Sequence, residues 1–324
     1  MKVGIISFAH MHAYSYANSL QNFTEAEFTA IYDDEEERGR EAADQYGVTF
    51  YANLDEFLAT DLDAVIICSE NSKHKQFVLQ SAKAKKHILC EKPIATNLED
   101  AQEMIDVCEK ENVILQIAYP VRFSQPMREL KEKIDQGDFG EILAFRTTNR
   151  GQNPGGWFIE KDKSGGGAVL DHTVHMVDIM RWYLGEEVTE VRAIADSYFY
   201  DIDIDDAGIM TLQFENGVIA SHDASWSRLP SYPTWGDVTI EVIGTKKSQK
   251  IDALAEHVDV FHADGKPFEH TFYGNDMDYG LIKDFIDCVK EGREPSITGY
   301  DGLKSLEVSL AAYESSRKNK AINL

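Results

Sequence analysis

His87-Ile88-Leu89-Cys90-Glu91-Lys92-Pro93 is the stretch from which the rest of the chain is read. A short apolar run, suited to a strand buried on both faces, ends in a carboxylate, an amine and a proline. Open parallel sheets bind ligands beyond the carboxyl ends of their strands, so Lys92 is expected to face a cofactor cleft. A surface lysine is ordinarily solvated. Proline restricts the backbone of the residue before it, which favours a fixed pose here, and Lys92–Pro93 is a candidate cis peptide.

Upstream, Lys2 to Ile6 reads as a strand, Met11 to Phe23 as a helix, and Phe28 to Tyr32 as a strand closing at Asp33-Asp34. Glu35 to Tyr46 reads as a helix stopped by Gly47. Leu54 to Leu58 reads as a short helix, Ala64 to Cys68 as a buried strand, and Ser72 to Lys85 as a helix. Downstream, Asn97 caps a helix running to Glu111, and Val113 to Ala118 is the last strand of the series. This alternation predicts an α/β domain over residues 1–119, a doubly wound parallel sheet of Rossmann-like type.

The texture changes at Tyr119-Pro120. Met127 to Gln136 reads as a helix, Ile142 to Arg150 as a half-buried strand, Gly151 to Gly167 as a loop, and Ala168 to Leu184 as a strongly periodic helix. Several strands follow between Val188 and Phe272, separated by turn signals at Glu215-Asn216-Gly217, Gly244-Thr245 and Ala263-Asp264-Gly265. Asn-Gly between apolar residues marks a hairpin. Helices over Met277 to Glu291 and Gly302 to Lys318 close the chain. Residues 120–324 therefore read as an α+β domain with a mostly antiparallel open sheet, serving substrate binding and oligomerisation.

Composition narrows the class. The formal net charge is -24, a field that repels nucleic acid and anionic membranes. No apolar run approaches the roughly 20 residues of a membrane span, and Met1-Lys2-Val3-Gly4-Ile5-Ile6 reads as a strand rather than a signal peptide. The four cysteines, Cys68, Cys90, Cys108 and Cys288, form no C-x-x-C pair and read as free thiols of a reducing compartment. The expectation is a cytoplasmic protein with a small-molecule substrate, without nucleic-acid or membrane partners.

The first strand-to-helix turn, Ser7-Phe8-Ala9-His10-Met11-His12, puts Ser7, Ala9 and His12 where a dinucleotide fingerprint carries glycines. The helix N-terminus can still offer N–H groups to phosphate. Asp33 ends the second strand, where an acidic residue accepts from ribose hydroxyls. With Asp34 beside it and no adjacent arginine, it favours NAD over NADP. His10-Met11-His12 also resembles the start of a metal-dependent barrel hydrolase. That fold needs a closed ring of strand–helix units, whereas here the series stops and turns antiparallel. No metal is expected, and the two imidazoles are read as lining the phosphate turn.

Gly165-Gly166-Gly167 leads directly into Ala168-Val169-Leu170-Asp171-His172-Thr173-Val174-His175-Met176-Val177-Asp178. Three glycines let the backbone pass close to a ligand. Asp171 and His175 share a helical face, while His172 points about 100° away from Asp171. A carboxylate and an imidazole stacked this way suit proton transfer. A buried structural pair is the plainer alternative.

Taken together, Glu91-Lys92-Pro93 and the triple glycine with Asp171 and His175 resemble the glucose–fructose oxidoreductase and inositol dehydrogenase family (Gfo/Idh/MocA). The resemblance covers essentially the whole chain. Val65 to His74 is similar to the family's strand with its T-P-N-x-x-H segment, Tyr119 to Phe123 to its Y-x-x-R-F turn, and Asp301-Gly302-Leu303 to its closing helix start. By this resemblance Lys92 is the catalytic lysine, with Asp171 the substrate-orienting carboxylate and His175 the proton-transferring histidine. Ser7, Phe8, Ala9, His10, His12, Asp33, Ser69, Asn71, His74, Glu91 and Arg122 fall on cofactor-side positions. Glu70 stands where the family usually has proline, and Pro120 where asparagine is common. The implied activity is NAD-dependent oxidation of a secondary alcohol of a sugar, polyol or cyclitol, or reduction of the ketone, by a homo-oligomer (dimer or tetramer). Trp157, Phe158 and Trp235 are candidate walls for a sugar ring. Two other readings are a dinucleotide or sugar sensor without turnover and a hydrolase built on His10 and His12.

Overall fold

The computed structural model describes residues 1–232, 234–255, 257–260, 269–272 and 274–324. The turn signal at Ala263-Asp264-Gly265 lies outside them. The chain divides into two compact units. One comprises Met1–Pro120, Asp162–Gly165 and Asp278–Leu306; the other comprises Val121–Lys161, Gly166–Met277 and Glu307–Leu324. The boundary expected at 119/120 thus falls beside the first crossing, and the chain later returns to the first unit twice.

The first unit contains β1 (Lys2–Ile6), α1 (His12–Leu20), β2 (Glu27–Tyr32), α2 (Glu36–Tyr46), β3 (Thr49–Tyr51), α3 (Leu54–Leu58), β4 (Ala64–Ile67), α4 (His74–Lys83), β5 (His87–Glu91), α5 (Leu98–Glu111) and β6 (Leu115–Ala118). The strands form one sheet in the order β3-β2-β1-β4-β5-β6, with every pairing parallel. All four residues of β4 are buried, as expected of a strand covered on both faces. Asn97 caps α5 by accepting from the Asp100 N–H. Gly47 closes α2 at φ 68°, a left-handed conformation that glycine adopts without penalty. The strand order reverses between β1 and β4. The ligand crevice of such a sheet lies beyond the carboxyl ends at that point, where Ser7 and Cys68 follow their strands.

The second unit is built mainly from α6 (Gln125–Asp135), β7 (Ile142–Gly151), α7 (Lys161–Ser164), α8 (Ala168–Leu184), β8 (Val188–Asp196), β9 (Ala207–Phe214), β10 (Ile219–Ser225), β11 (Gly236–Gly244) and β12 (Ser248–Asp252). The stretch expected as one loop, 151–167, holds a 3-10 turn at Gly156–Ile159 and the short α7. A separate ribbon pairs β13 (His257–Val260) with β14 (Glu269–Phe272). Then come α9 (Met277–Glu291), α10 (Gly299–Lys318) and β15 (Ile322–Asn323). The large sheet runs β12-β11-β7-β10-β9-β8-β15. Its pairings are antiparallel except β7 with β10, which are parallel. The Asn216-Gly217 hairpin forms as expected, with Gly217 at φ 84° and Phe214 N donating to the Val218 carbonyl at 2.9 Å.

Helix α8 packs on β7, β9 and β10 of this sheet, and its Val169, Met176, Val177 and Met180 share one buried core with Met210 and Leu212 of β9 and Ala220 of β10. The sheet's other face leaves Ile194, Ile209 and Ile219 at 64%, 66% and 57% exposure. No helix among the described residues is long and apolar enough to cross a membrane.

Candidate active site

Strand β5 carries Glu91 and Lys92 to the carboxyl edge of the first sheet. Lys92 is 4% exposed, and the Lys92–Pro93 peptide is cis. Glu91 is fully buried. Its Oε1 lies 3.2 Å from His12 Nδ1 and its Oε2 accepts from the Tyr16 hydroxyl at 2.8 Å. Burial acts to raise its pKa, but the charges of His12 and His10 and the His12 hydrogen bond outweigh it and hold the carboxyl well below the usual range. Tyr16 lies four residues after His12 on α1, the spacing at which helical neighbours meet, and went unnoticed in the sequence.

The β1–α1 turn keeps one glycine-like backbone conformation without a glycine. Ser7 sits at φ 69°, a region costing an L-residue about 1–2 kcal/mol. Its N–H donates to the Tyr32 carbonyl at 2.7 Å, and its Oγ accepts from Ala9 N at 3.2 Å. Beside it, Asp33 accepts from Phe8 N through Oδ2 at 2.8 Å.

The expectation that no arginine neighbours Asp33 is corrected in space. Arg38, five residues on, places Nε 2.9 Å from Asp33 Oδ2 and Nη2 2.5 Å from Oδ1. A contact across the start of α2 is not legible as adjacency in sequence. Lys73 similarly reaches Asp34 and Glu70.

His10 and His12 do converge with Glu91: one ligand-type atom from each lies within 4.8 Å of the others. The hydrogen bonds nevertheless favour protons over a metal. His10 Nδ1 accepts from the His12 N–H at 3.1 Å, which places a ring proton on Nε2, the nitrogen 3.9 Å from Glu91 Oε1. A metal ligand needs that nitrogen bare.

The segment after β4 serves two purposes. His74 is completely buried, with Nδ1 2.9 Å from the Pro93 carbonyl and Nε2 3.2 Å from the Ser69 carbonyl. It ties the ends of β4 and β5 together. Ser69 Oγ donates to the Glu70 carbonyl at 3.1 Å. Asn71 donates from Nδ2 to the Ser164 carbonyl at 2.8 Å, while its Oδ1 is buried without a hydrogen-bond partner. A buried acceptor without a donor is costly. A ligand bringing a hydroxyl or amide N–H, as a dinucleotide does, fits this position.

In the second unit Gly166 and Gly167 make room for neighbouring groups of the protein. A Cβ on Gly167 would stand 1.7 Å from the Asp205 carbonyl oxygen, and one on Gly166 2.4 Å from the Tyr313 hydroxyl. Asp205 caps α8, accepting from Gly167 N through Oδ1 at 2.9 Å and from Val169 N through Oδ2 at 2.7 Å. The helix so anchored carries Asp171, whose Oδ2 accepts from the Trp226 indole N–H at 3.2 Å. His172 does not simply point away: its Nε2 lies 3.2 Å from that same oxygen, while its Nδ1 donates to the Asn149 carbonyl at 2.8 Å.

His175 is 7% exposed on α8. Arg122 places Nε and Nη2 on Asp178 at 2.7 and 2.6 Å. Trp157 and Phe158 stack on each other at 3.9 Å, and Trp235 is 46% exposed. Trp226 and Arg38 were missed because their partners, Asp171 and Asp33, gain them only through tertiary folding.

Residues 1–119 match the model of the oxidoreductase family with an NAD-binding Rossmann fold, and residues 127–250 match the GFO/IDH/MocA C-terminal domain. The chain belongs to the Gfo/Idh/MocA oxidoreductase family. Among curated members, it is 32% identical over 337 positions to the myo-inositol 2-dehydrogenase of Thermotoga maritima, covering 100% of this chain and 98% of the relative. It is 27% identical to the NAD(+) scyllo-inositol 2-dehydrogenase of Bacillus subtilis over 100% and 96% of the two chains. A solved probable dehydrogenase from Thermotoga maritima superposes with a TM-score of 0.87 at 30% identity, covering 100% of this chain and 98% of that one. This Gfo/Idh/MocA chain is therefore a dehydrogenase or reductase, and neither the sensor nor the hydrolase reading is favoured.

Proposed function

We propose that the enzyme oxidises a secondary alcohol of a cyclitol, polyol or sugar, or reduces the corresponding ketone, with NAD as the preferred cofactor. The observation that carries this reading is the retention, within a family match spanning both units, of a buried Lys92 after β5 together with Asp171 and His175 on a capped α8. The nicotinamide, when bound, supplies the hydride chemistry. Residues of the β1–α1 turn, Asp33, Ser69 and Asn71 would hold the dinucleotide, with Asn71 Oδ1 the buried acceptor in want of a donor.

Lys92 hydrogen-bonds the reacting oxygen and stabilises the negative charge that develops on it. A ring nitrogen of His175 takes the hydroxyl proton as the C–H bond gives up its hydride. Asp171, with Oδ2 fixed by the Trp226 N–H, orients a neighbouring hydroxyl. Asp33 and Asp34 disfavour a 2′-phosphate, and Arg38 is already engaged by Asp33; both points support NAD over NADP.

The open sheet face bearing Ile194, Ile209 and Ile219 supports a homo-oligomer, a dimer or tetramer, since apolar patches of this kind mark association surfaces. The four cysteines are buried free thiols, which supports a reducing, cytoplasmic setting.

A panel of inositols, polyols and sugars with NAD and NADP tests the reading, followed by the absorbance of reduced nicotinamide. Inositols head the panel because both curated relatives bear inositol dehydrogenase names. Reduction of NAD by at least one cyclitol, polyol or sugar is expected. Failure of the whole panel, and of the matching ketones with reduced cofactor, would sink it.

A further inference from the structure

A helix N-terminus grips phosphate with backbone N–H groups, yet in the β1–α1 turn most of those groups already have protein acceptors. Phe8 N donates to Asp33 Oδ2, Ala9 N to Ser7 Oγ and His12 N to His10 Nδ1. His10 N donates to the Cys68 carbonyl and Ala13 N to the His10 carbonyl. What the turn offers instead is the side chain of His12, at the first position of α1 and still 30% exposed.

Glu91 Oε1 is only an acceptor, so the nitrogen facing it, His12 Nδ1, carries a proton and leaves Nε2 available for a second. The carboxylate is fully buried, and a buried charge requires a compensating one. The titratable groups that bear on His12 are Glu91 from β5, Lys92 just after it, Tyr16 from α1, His10 from the turn and Asp278 from α9. Burial and Lys92 act to keep the ring neutral; Glu91 and Asp278 act against them and prevail, raising its pKa.

We propose that His12 binds the diphosphate of the dinucleotide as an imidazolium held in place by Glu91, replacing the N–H groups that a glycine turn exposes. This rests on the NAD-dependent reading above and deepens it. Glu91 then acts as a positioning residue for His12, and the histidine in the third glycine slot becomes a ligand rather than an obstruction.

Isothermal titration with NAD across pH 6.5 to 8.5 tests it without turnover. A charge-assisted hydrogen bond to phosphate is worth about tenfold or more in affinity. Wild-type affinity is therefore expected to fall about tenfold as His12 loses its proton. His12→Gln should bind about tenfold more weakly at pH 6.5 and show no pH dependence, and Glu91→Gln should flatten the dependence in the same way. In ¹⁵N spectra of the wild type at pH 6.5, both His12 ring nitrogens should be protonated, a readout that needs no variant to fold. A neutral His12 at pH 6.5, or wild-type affinity retained by His12→Gln across the range, overturns this proposal and leaves the dehydrogenase reading standing. A wild-type protein that binds no dinucleotide overturns both.

Discussion

Replacing Gly167 by alanine tests whether the helix that bears Asp171 and His175 is placed by Asp205. The added methyl would stand 1.7 Å from the Asp205 carbonyl oxygen, where ordinary contact begins at 3.4 Å. The two backbones must part, and the bonds between them are those that start α8. These are Ala168 N to the Asp205 carbonyl at 3.1 Å, and Gly167 N and Val169 N to the Asp205 carboxyl. The Tyr313 hydroxyl also accepts from Gly167 N and Leu170 N, both at 3.1 Å. Losing half of this set costs about 4 kcal/mol, at roughly 1–3 kcal/mol for each bond to a carboxyl. For a chain of this size that is a fall in Tm of about 10 °C. Turnover should fall with it, because Asp171 lies one helical turn beyond the displaced residue. Thermal unfolding and steady-state kinetics read both effects. A Gly167→Ala protein with unchanged Tm and unchanged kcat would refute the claim that Asp205 fixes the start of α8.

Three further outcomes follow from the same geometry. Asp33→Ser removes the carboxylate that takes Arg38 Nε and Nη2, leaving Glu35 on Nη1, and turns that edge of the guanidinium to a 2′-phosphate; the NADP-to-NAD ratio of kcat/KM should rise about tenfold, and an unchanged ratio would show that Arg38 takes no part. Trp226→Phe deletes the N–H on Asp171 Oδ2 and should lower kcat by about tenfold; Trp226 is fully buried, so the smaller ring also lowers Tm and kcat is read well below the melting point, where a wild-type value would leave that bond without a role. His222 is pushed down to about 3, first by burial and then by the nearby His172. Its folded pKa lies below the unfolded value of about 6.5, so its contribution to stability is whole above that pH and is lost as pH falls toward 3, by about 1.4 kcal/mol per unit. Denaturation midpoints between pH 6.5 and 4 should drop less steeply in His222→Asn than in the wild type, and parallel curves would contradict this.

Elements that are locally determined were legible in the sequence. Leu54–Leu58, Ala168–Leu184 and Met277–Glu291 have the expected limits, because apolar spacing and capping residues lie within each segment. Three-residue β3 and two-residue β15 offer no period to read. The parallel pairing of β7 with β10 joins strands far apart in sequence, and no turn chemistry reports it.

Within the site, the pairing of Glu91 with Lys92 and the spacing of Asp171 and His175 could be read from short-range pattern. The partners that set their chemistry could not. Arg38 reaches Asp33 from outside helical spacing, Trp226 reaches Asp171 from just past the end of β10, and the glycines before α8 make room for Asp205 and Tyr313, which are remote in the chain. His12 in a glycine slot looked like a departure until Glu91 was found beside it.

The central proposal is that Lys92, Asp171 and His175 serve one hydride-transfer reaction. Lys92→Ala tests it most directly, with NAD affinity by titration and turnover on the best alcohol of the panel measured on the same folded sample. The account predicts that NAD still binds while kcat falls by a factor of a thousand or more, about 4 kcal/mol of lost transition-state stabilisation. A Lys92→Ala enzyme that turns over this substrate at a rate near that of the wild type would contradict it.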